Sequence, residues 1–448
     1  MKGVLMISTF LKNFFQKGLL GIYHNFLLSY RQIRRGDRNV MVFIIYGLLY
    51  DVFLNLYKPF SVKFLDRVGG TAFHISLLNS LPGFLAVFAL IPGAVIINRF
   101  RRKKGVISVF FGISRAFVLM LVFIPYMPEA LRPILFVVLM SAMNFPDAIS
   151  QSGLQGFLGD VFNGVDRSRA ITLRNKFGQM VAMAVTLSTG FIVMLVPKNE
   201  AQTITVYQVL FAAAVVFGIA EIFVFMRFKE PQKESPEGGE GGGRPSLKSG
   251  FKAVLEPLKD RKFVAYMIPT IYFYFMYQAG WPLFSILQVI DLKATEFHMA
   301  LNAALAGICG FLGANFWGRR IAKKGNDFTT VIATLLLAVS VFLTILSPNI
   351  WVYILCQGFG GFVGIGVVIT MFNGLLAATP DKNRVIYIAV FNTFVNLSLG
   401  LSPLFANVLY EAMGTRQAMA VMGLGRLLST VILYVIYLRN KRKVIKSV

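Results

Sequence analysis

The chain has 448 residues, of which 56% are hydrophobic and only 15% are charged. Because soluble proteins carry nearer a quarter of charged residues, this composition excludes an ordinary soluble globular protein and indicates an integral membrane protein. The net charge of +25 resembles that of nucleic-acid-binding proteins, but the positions of the charges along the chain argue against that class.

The first predicted element is an amphipathic segment over residues 1–36. Its apolar side chains recur at helical spacing, and Lys12 and Lys17 lie between them. This pattern predicts a helix in the cytoplasmic membrane interface, since a membrane-spanning helix would carry both lysines at its middle. A cleavable signal sequence is not expected, because no short apolar core precedes a small-residue cleavage site. The apolar residues are Phe10, Phe14, Phe15, Leu19, Ile22 and Phe26.

Twelve apolar stretches follow, and each is long enough to cross a bilayer as a helix. The predicted fold is therefore all-α and integral to the membrane, with twelve transmembrane helices in two pseudo-symmetric six-helix bundles. The bundles are expected to cover residues 37–228 and 259–440, followed by a basic cytoplasmic tail over 441–448. The predicted spans are 40–61, 73–97, 105–126, 132–158, 170–196, 205–226, 263–289, 297–317, 328–346, 351–378, 385–409 and 418–438.

Residues 229–258 separate the two halves and are rich in Glu, Pro and Gly. Such a segment cannot bury enough apolar surface to offset the entropy lost on ordering, so a flexible cytoplasmic linker is predicted. A linker of this kind would leave the two bundles free to move against each other.

The basic residues concentrate in alternate loops. Of the 45 Lys and Arg residues, 36 lie before the first span, in the loops after every second span, or in the tail. Positive loops remain in the cytoplasm during membrane insertion, so both termini are predicted to be cytoplasmic in a plasma (inner) membrane of bacterial type. The surplus of positive charge also favours contact with anionic lipid.

The two halves repeat each other at a spacing of about 220 residues, which indicates a duplicated six-helix unit. Four short patterns recur in the same order, each before or after the corresponding span. The matched segments are 37–38 and 260–261, 73–77 and 297–301, 99–104 and 319–324, and 166–169 and 381–384.

With this organisation the chain resembles the major facilitator superfamily over residues 37–440. In that family the loop after the second helix carries an Asp-Arg pair between glycines, followed by basic residues. Here Asn98 stands in place of the Asp, while Arg99 and Arg102 keep the basic character. The resemblance implies a substrate cavity near mid-membrane, alternating access, and a conformational loop at these three residues. The exchange of Asp for Asn would weaken any charge pairing by this loop.

A second stretch also resembles the family. Asp166, Arg167 and Arg169 match the loop before the fifth helix in many bacterial members, and the resemblance assigns them to the conformational loops. The family's antiporter signature places a Gly-Pro pair in the fifth helix, whereas the proline is absent here and Pro403 in the eleventh span is only loosely similar. The motifs therefore leave open whether the protein is an antiporter.

No motif for catalysis is present in the sequence. It has no phosphate-binding loop ending in Gly-Lys-Ser/Thr, its three histidines are scattered, and its two cysteines lie in predicted spans. We therefore expect no enzyme activity, no metal ion and no cofactor, with a proton gradient as the energy source. The expected partners are a small-molecule substrate and membrane lipids, not nucleic acid, and the expected state is a monomer.

Charged residues within spans are costly in hydrocarbon and usually face a cavity or a partner. Asp51, Arg115 and Asp147 are each predicted to lie roughly 15–18 Å from the cytoplasmic face, at 1.5 Å per residue. On one interpretation, Asp51 binds a proton or a cationic group, and Arg115 pairs with Asp147 or Asp51. On the other, Arg115 and Asp147 form a structural ion pair. Glu221 is expected to snorkel or pair near the cytoplasmic end, and Arg426 to be lipid-facing or structural.

The seventh span offers an aromatic surface. Tyr277, Gln278 and Trp281 lie at helical spacing, and together they suit an amphipathic organic ligand. The alternative is that Tyr and Trp mark the membrane interface.

These features predict a secondary active transporter that moves a small, amphipathic organic solute by proton-coupled efflux through alternating access. Two alternatives remain open at this point. One is a proton-coupled nutrient importer with the same cavity, and the other is a non-transporting receptor or lipid-handling protein of the same fold.

Overall fold

A computed structural model describes residues 38–98, 103–162, 164–229, 256–380 and 384–446. The predicted interfacial segment over 1–36 and most of the predicted linker over 229–258 lie outside these ranges. The described residues form fourteen α-helices joined by short turns and 3-10 segments, and they contain no β-strand.

The first half of the chain contains eight helices that make six membrane spans. A 3-10 turn over Lys58–Phe60, which contains Pro59, divides the first span in two, and a break at Met143 divides the fourth. The helices are α1 (Arg38–Asn55), α2 (Ser61–Arg67), α3 (Ala72–Asn98), α4 (Lys103–Met120), α5 (Arg132–Ala142), α6 (Asn144–Val161), α7 (Gly164–Leu195) and α8 (Glu200–Phe225).

The second half contains six long helices, one for each span. They are α9 (Arg261–Ile286), α10 (Glu296–Lys324), α11 (Asn326–Ile345), α12 (Ile350–Ala378), α13 (Arg384–Met413) and α14 (Thr415–Lys446). The last helix continues to Lys446, so the described part of the predicted tail is helical.

The twelve predicted spans are confirmed by these helices. Within the described ranges, eleven helical segments are long and apolar enough to cross a membrane. The twelfth is α9, whose 26 residues include four tyrosines, two internal prolines and Gln278, which lower its hydropathy. It packs against α13 and α14 as the first span packs against α7 and α8, so the two halves share one arrangement.

Matching histidines at two helix starts support the duplication. At the start of α3, the backbone N–H of Thr71 donates to His74 Nδ1 at 3.2 Å, and the Thr71 hydroxyl lies 2.9 Å from the same atom. Thr295 and His298 repeat both distances at the start of α10. The histidines therefore help to cap corresponding helices in the two bundles.

The two bundles meet along α3 with α13 and α7 with α10. At the first crossing the backbones approach closely, since a Cβ on Gly83 would lie 2.5 Å from the Gly400 nitrogen. The Ser80 hydroxyl donates to the Gly400 carbonyl at this crossing. Small residues of this kind allow close packing of membrane helices.

The buried apolar residues show that the bundles are packed together at one end and separate at the other. The largest cluster joins both bundles around Phe64, Ile75, Leu283 and Ala406, at the end that carries Arg67. Towards the opposite end the described apolar clusters each belong to a single bundle. We call these the closed end and the open end.

Candidate functional site

Arg115 of α4 forms the centre of a buried charge cluster in the first bundle. Its Nη1 donates to Asp147 Oδ1 on α6 at 3.0 Å, and its Nη2 donates to Glu221 Oε2 on α8 at 2.6 Å. The side chains of Arg115 and Glu221 are 2% and 0% exposed, whereas that of Asp147 keeps 22% exposure. One guanidinium thus joins three helices and holds one partly accessible carboxylate.

Aromatic rings surround the Arg115 guanidinium. Its central carbon lies 4.1 Å from the ring centroid of Phe53 and 5.1 Å from that of Phe111. Such contacts stabilise a desolvated cation. Gly218 makes the approach possible, because a Cβ there would lie 2.7 Å from Arg115 Cγ.

The cluster has one more acid than it has bases. Arg115 carries one positive charge, and Asp147 and Glu221 would carry two negative charges if both were ionised. The Tyr50 hydroxyl donates to Asp147 Oδ2 at 3.4 Å but adds no charge. In a low-dielectric interior an unbalanced charge is costly, so a bound proton or an arriving cation would stabilise the cluster.

Asp51 lies in a different pair. Its Oδ1 accepts a hydrogen bond from Arg174 Nη2 on α7 at 2.9 Å, and the same guanidinium approaches the Gly47 carbonyl at 3.4 Å. The two side chains are 14% and 22% exposed. Asp51 is thus balanced one to one by the cation of Arg174.

Helix geometry explains why Asp51 and Asp147 are separated. Successive residues of an α-helix point about 100° apart. Tyr50 contacts Asp147, while the next residue, Asp51, contacts α7. Two partners were expected for Arg115, and in the structure it pairs with Asp147 and not with Asp51.

Glu221 is the member of the cluster that sequence reasoning left outside the site. Counting residues placed it nearer the membrane end than Arg115, but the long arginine side chain spans a difference in depth. The signal available in the sequence was charge balance, because Arg115 and Glu221 lie within spans of the same bundle and each needs a partner.

The three residues of α9 that were predicted to bind a ligand do not form one surface. The rings of Tyr277 and Trp281 are 5.7 Å apart, and Trp281 is 37% exposed. Gln278 instead points to α13, where its Nε2 donates to the Val395 carbonyl at 3.4 Å. The structure therefore brings Tyr277 and Trp281 together and separates Gln278 from them.

Arg426 of α14 lies against α9 and is fully buried. Its Nη2 donates to the Tyr277 carbonyl at 2.9 Å, its Nε donates to the Met276 carbonyl at 3.3 Å, and its guanidinium carbon is 5.1 Å from the Tyr277 ring. No carboxylate within the described ranges pairs with it. Of the two roles expected for Arg426, burial excludes the lipid-facing one and leaves the structural one.

A second polar cluster joins the bundles at the closed end. Arg67 Nε donates to Glu296 Oε1 at 2.7 Å, and the Tyr207 hydroxyl donates to the same oxygen at 3.0 Å. Arg67 Nη1 also donates to Glu200 of its own bundle at 2.6 Å. The sequence pattern gave no indication of this cluster, since all four residues lie near span ends where charge is common.

The conformational loops implied by the family resemblance cannot be compared with the structure. Arg99 and Arg102 lie outside the described residues. Asn98 is the last residue of α3, and Asp166, Arg167 and Arg169 lie in the first turns of α7, but their side chains are not described.

The family is decided by sequence comparison. The sequence profile of the Major Facilitator Superfamily matches residues 42–375 and, in a second match, residues 273–447. The chain belongs to the major facilitator superfamily. No curated protein matches the sequence of this transporter significantly.

Solved structures show the same fold at low sequence identity. A bacterial homologue of the human lysosomal transporter Spinster, in an inward-facing and unoccupied conformation, is 14% identical with a TM-score of 0.64, over 89% of this chain and 97% of that one. The nucleoside transporter NupG is 9% identical with a TM-score of 0.69, and the match covers 89% of this chain and 100% of that one. The E. coli fucose:proton symporter FucP is 13% identical with a TM-score of 0.57, and the match covers 88% of this chain and 97% of that one. The transporter is therefore a multi-pass membrane protein of the major facilitator fold.

Proposed function

We propose that this transporter exports a small amphipathic organic solute across the plasma membrane by proton-coupled alternating access. The observation that carries the proposal is the surplus carboxylate of the cluster formed by Arg115, Asp147 and Glu221. A membrane-embedded acid that is not balanced by a cation is suited to bind and release a proton. The structural neighbour FucP is named as a proton symporter, which agrees with this chemistry in the fold.

The proton is assigned to the two acids on Arg115 rather than to Asp51. Protonation of either Asp147 or Glu221 makes that cluster neutral, whereas Asp51 is already neutralised by Arg174. Asp147 is the acid through which the proton enters, because it is the exposed member. Arg115 connects α4, α6 and α8, so the protonation state acts on the packing of three helices at once.

The packing of the bundles supports alternating access. They are joined at the closed end by Arg67 and Glu296 and are separate at the open end. Lys104 near the start of α4 and Lys323 and Lys324 at the end of α10 lie at the open end, so the positive-inside rule supports a cytoplasmic open end and an inward-facing state. The Spinster homologue of similar fold is described as inward-facing.

The amphipathic character of the solute is inferred from α9. Tyr277 and Trp281 offer adjacent rings on α9, the helix against which the buried Arg426 of α14 packs. Aromatic side chains with few polar groups bind the apolar part of organic ligands. A thermal-shift screen of organic compounds on the purified protein identifies ligands, and a relevant ligand loses its effect in Trp281→Ala.

Coupling is tested in proteoliposomes that contain a pH-sensitive dye, with a ligand from this screen. Wild type is expected to move protons with the solute. Glu221→Gln is expected to retain solute exchange at equal pH but to lose uphill transport and proton movement, because its cluster is neutral without a proton. Glu129→Gln, which alters an exposed acid at a helix end, is the matched control. If Glu221→Gln and Asp147→Asn both move protons like wild type, the assignment is wrong, and Asp51→Asn then tests the remaining acid.

Direction is tested with vesicles of both orientations. Export predicts accumulation of the ligand in inside-out vesicles that are acidic inside. Accumulation in right-side-out vesicles under an inward proton gradient would instead identify an importer.

A further inference from the structure

A cavity of about 690 Å³ lies inside the second bundle, at its open end. It is surrounded by α9, α11, α12 and α14 and is separate from the charge cluster, which belongs to the first bundle. Its volume is within the range of about 300–1,000 Å³ that is usual for small-molecule sites. The proposed transport mechanism makes no use of it.

The equivalent space in the first bundle is filled. Taken in order, the helices that surround the cavity correspond to α1, α4, α6 and α8. There, Tyr46, Phe111, Phe157 and Phe225 meet with ring centroids 5.5–6.0 Å apart. The duplicated unit can therefore close this space with aromatic rings, and the second bundle does not.

Small residues leave the space open in the second bundle. Ala265 of α9 and Gly374 and Ala377 of α12 line the cavity. A larger residue would not fit at Gly374, because a Cβ there would lie 2.8 Å from the Tyr266 ring. Leu433 and Ile436 of α14 complete an apolar wall.

The polar groups inside the cavity leave little for a polar solute to bind. The hydroxyls of Thr330 and Thr370 both donate to carbonyls of their own helices at 2.9 Å. The Tyr266 hydroxyl donates to the Met371 carbonyl. Asn326 Oδ1 has no partner within the described part of the chain, but it is buried and is not open to the cavity. The interior thus suits an apolar chain.

The cavity mouth is basic and lies beside the bilayer. Arg261 and Lys262 at the start of α9 face one acid, Asp327, which leaves one net positive charge. Tyr434 and Val435 of α14, next to the lining residues, are 45% and 40% exposed on the outer surface. A single helix therefore separates the cavity from the acyl-chain region, and basic pockets between membrane helices attract anionic head groups.

We propose that this cavity binds an anionic phospholipid, with the head group at Arg261 and Lys262 and an acyl chain among the small residues. A head-group hydroxyl would donate to the exposed carboxylate of Asp327 at the mouth. Phosphatidylglycerol has this combination of a single negative charge, hydroxyl groups and acyl chains.

The test uses full-length protein in phosphatidylcholine nanodiscs that contain phosphatidylglycerol with a photoreactive acyl chain. Cross-linked peptides are expected to come from the cavity walls at 265–269, 370–378 and 433–437. Ala265→Trp fills the cavity and is expected to lower cross-linking roughly tenfold, the effect of about 1.4 kcal/mol. Val435→Phe adds similar bulk on the outer face of α14 and should leave cross-linking unchanged. If Ala265→Trp does not fold, Ala377→Leu serves the same purpose.

The head-group contact has its own measurement. Phosphatidylglycerol is expected to raise the melting temperature of wild type, and Arg261→Gln should remove most of this rise. Lys324→Gln, an exposed basic residue outside the cavity, should keep it. Inorganic phosphate alone should have no effect. Cross-links confined to outward-facing side chains, or unchanged by both filling variants, would overturn the proposal, as would displacement of the lipid by a transported solute.

Discussion

Arg67 Nε and Glu296 Oε1 lie 2.7 Å apart, and this pair joins the two bundles at the closed end. Glu296 is almost fully buried, and Tyr207 also donates to it. In a transporter that works by alternating access, this contact must break whenever the closed end opens. Its strength therefore sets part of the free-energy difference between the two states.

Glu296→Gln is expected to shift the bundles toward opening at the closed end. A hydrogen bond to a charged group contributes about 1.5–3 kcal/mol, which corresponds to roughly tenfold or more in the equilibrium between the states. The measurement is cross-linking of Phe191→Cys with Phe297→Cys, whose rings are 4.9 Å apart, in a background without Cys309 and Cys356. Its yield should fall.

Glu200→Gln is the matched control for this experiment. It removes a bond from the same Arg67, but Glu200 is 62% exposed and belongs to the same bundle as Arg67. The cross-linking yield should stay close to that of the parent. Equal losses in both variants would show that Arg67, and not the contact between bundles, is responsible.

Arg115→Met is expected to destabilise the protein strongly. It leaves two carboxylates without a cation in the bundle interior, and breaking such a buried pair costs about 3–5 kcal/mol. Replacing all three charges by Met, Leu and Leu at positions 115, 147 and 221 should recover much of this loss. Thermal melting in detergent measures both effects. Arg132→Met, which breaks an exposed pair 3.6 Å apart, should change the melting temperature little.

Gly280→Ala is expected to displace Arg426 from α9. A methyl group at this position would clash with Arg426 Nη2, which donates to the Tyr277 carbonyl. Overpacking of this kind costs about 1–3 kcal/mol and should lower the melting temperature. The double variant with Arg426→Met should be more stable than Gly280→Ala alone. Additive losses would mean that the two residues act independently.

Gly178→Ala is expected to disturb the pair of Asp51 and Arg174. Its new methyl group would clash with Asp51 Oδ2, which is buried. The expected loss is again about 1–3 kcal/mol. Gly112→Ala meets nothing within 4 Å and should be neutral or stabilising by up to about 1 kcal/mol, because Ala favours helix. A comparison of their melting temperatures separates the clash from the change in helix propensity.

The fold was predictable because its main signal is local. A run of apolar residues long enough to cross a bilayer identifies a span without knowledge of its neighbours, and the repeat of the histidine motif at His74 and His298 identifies the duplication. The span that corresponds to the more polar α9 was also predicted, because most of the surface of its aromatic side chains is apolar.

The site was predictable only in part because pairing depends on rotation about each helix axis. Residue counting predicts the depth of Asp51 and Asp147 but not the rotation of about 100° per residue that directs Asp51 to Arg174 and Tyr50 to Asp147. The same rotation separates Gln278 from Tyr277. Glu221 was expected to snorkel or pair but was not placed in the site, because depth alone understates the reach of an arginine side chain. The cavity in the second bundle was not predicted, because the spacing of residues carries no signal for it.

The close approach of Gly83 and Gly400 has a consequence for how the bundles can reorient. The contact at this crossing is made by backbone, by the Ser80 hydroxyl and by the Phe84 ring, so few side chains need to change rotamer when one helix slides or turns on the other. A larger residue at either position would act as a wedge that both pushes the bundles apart and engages the opposite groove. The close packing of small residues at this crossing thus keeps the activation barrier low for a movement whose equilibrium is biased by the ion pair of Arg67 and Glu296.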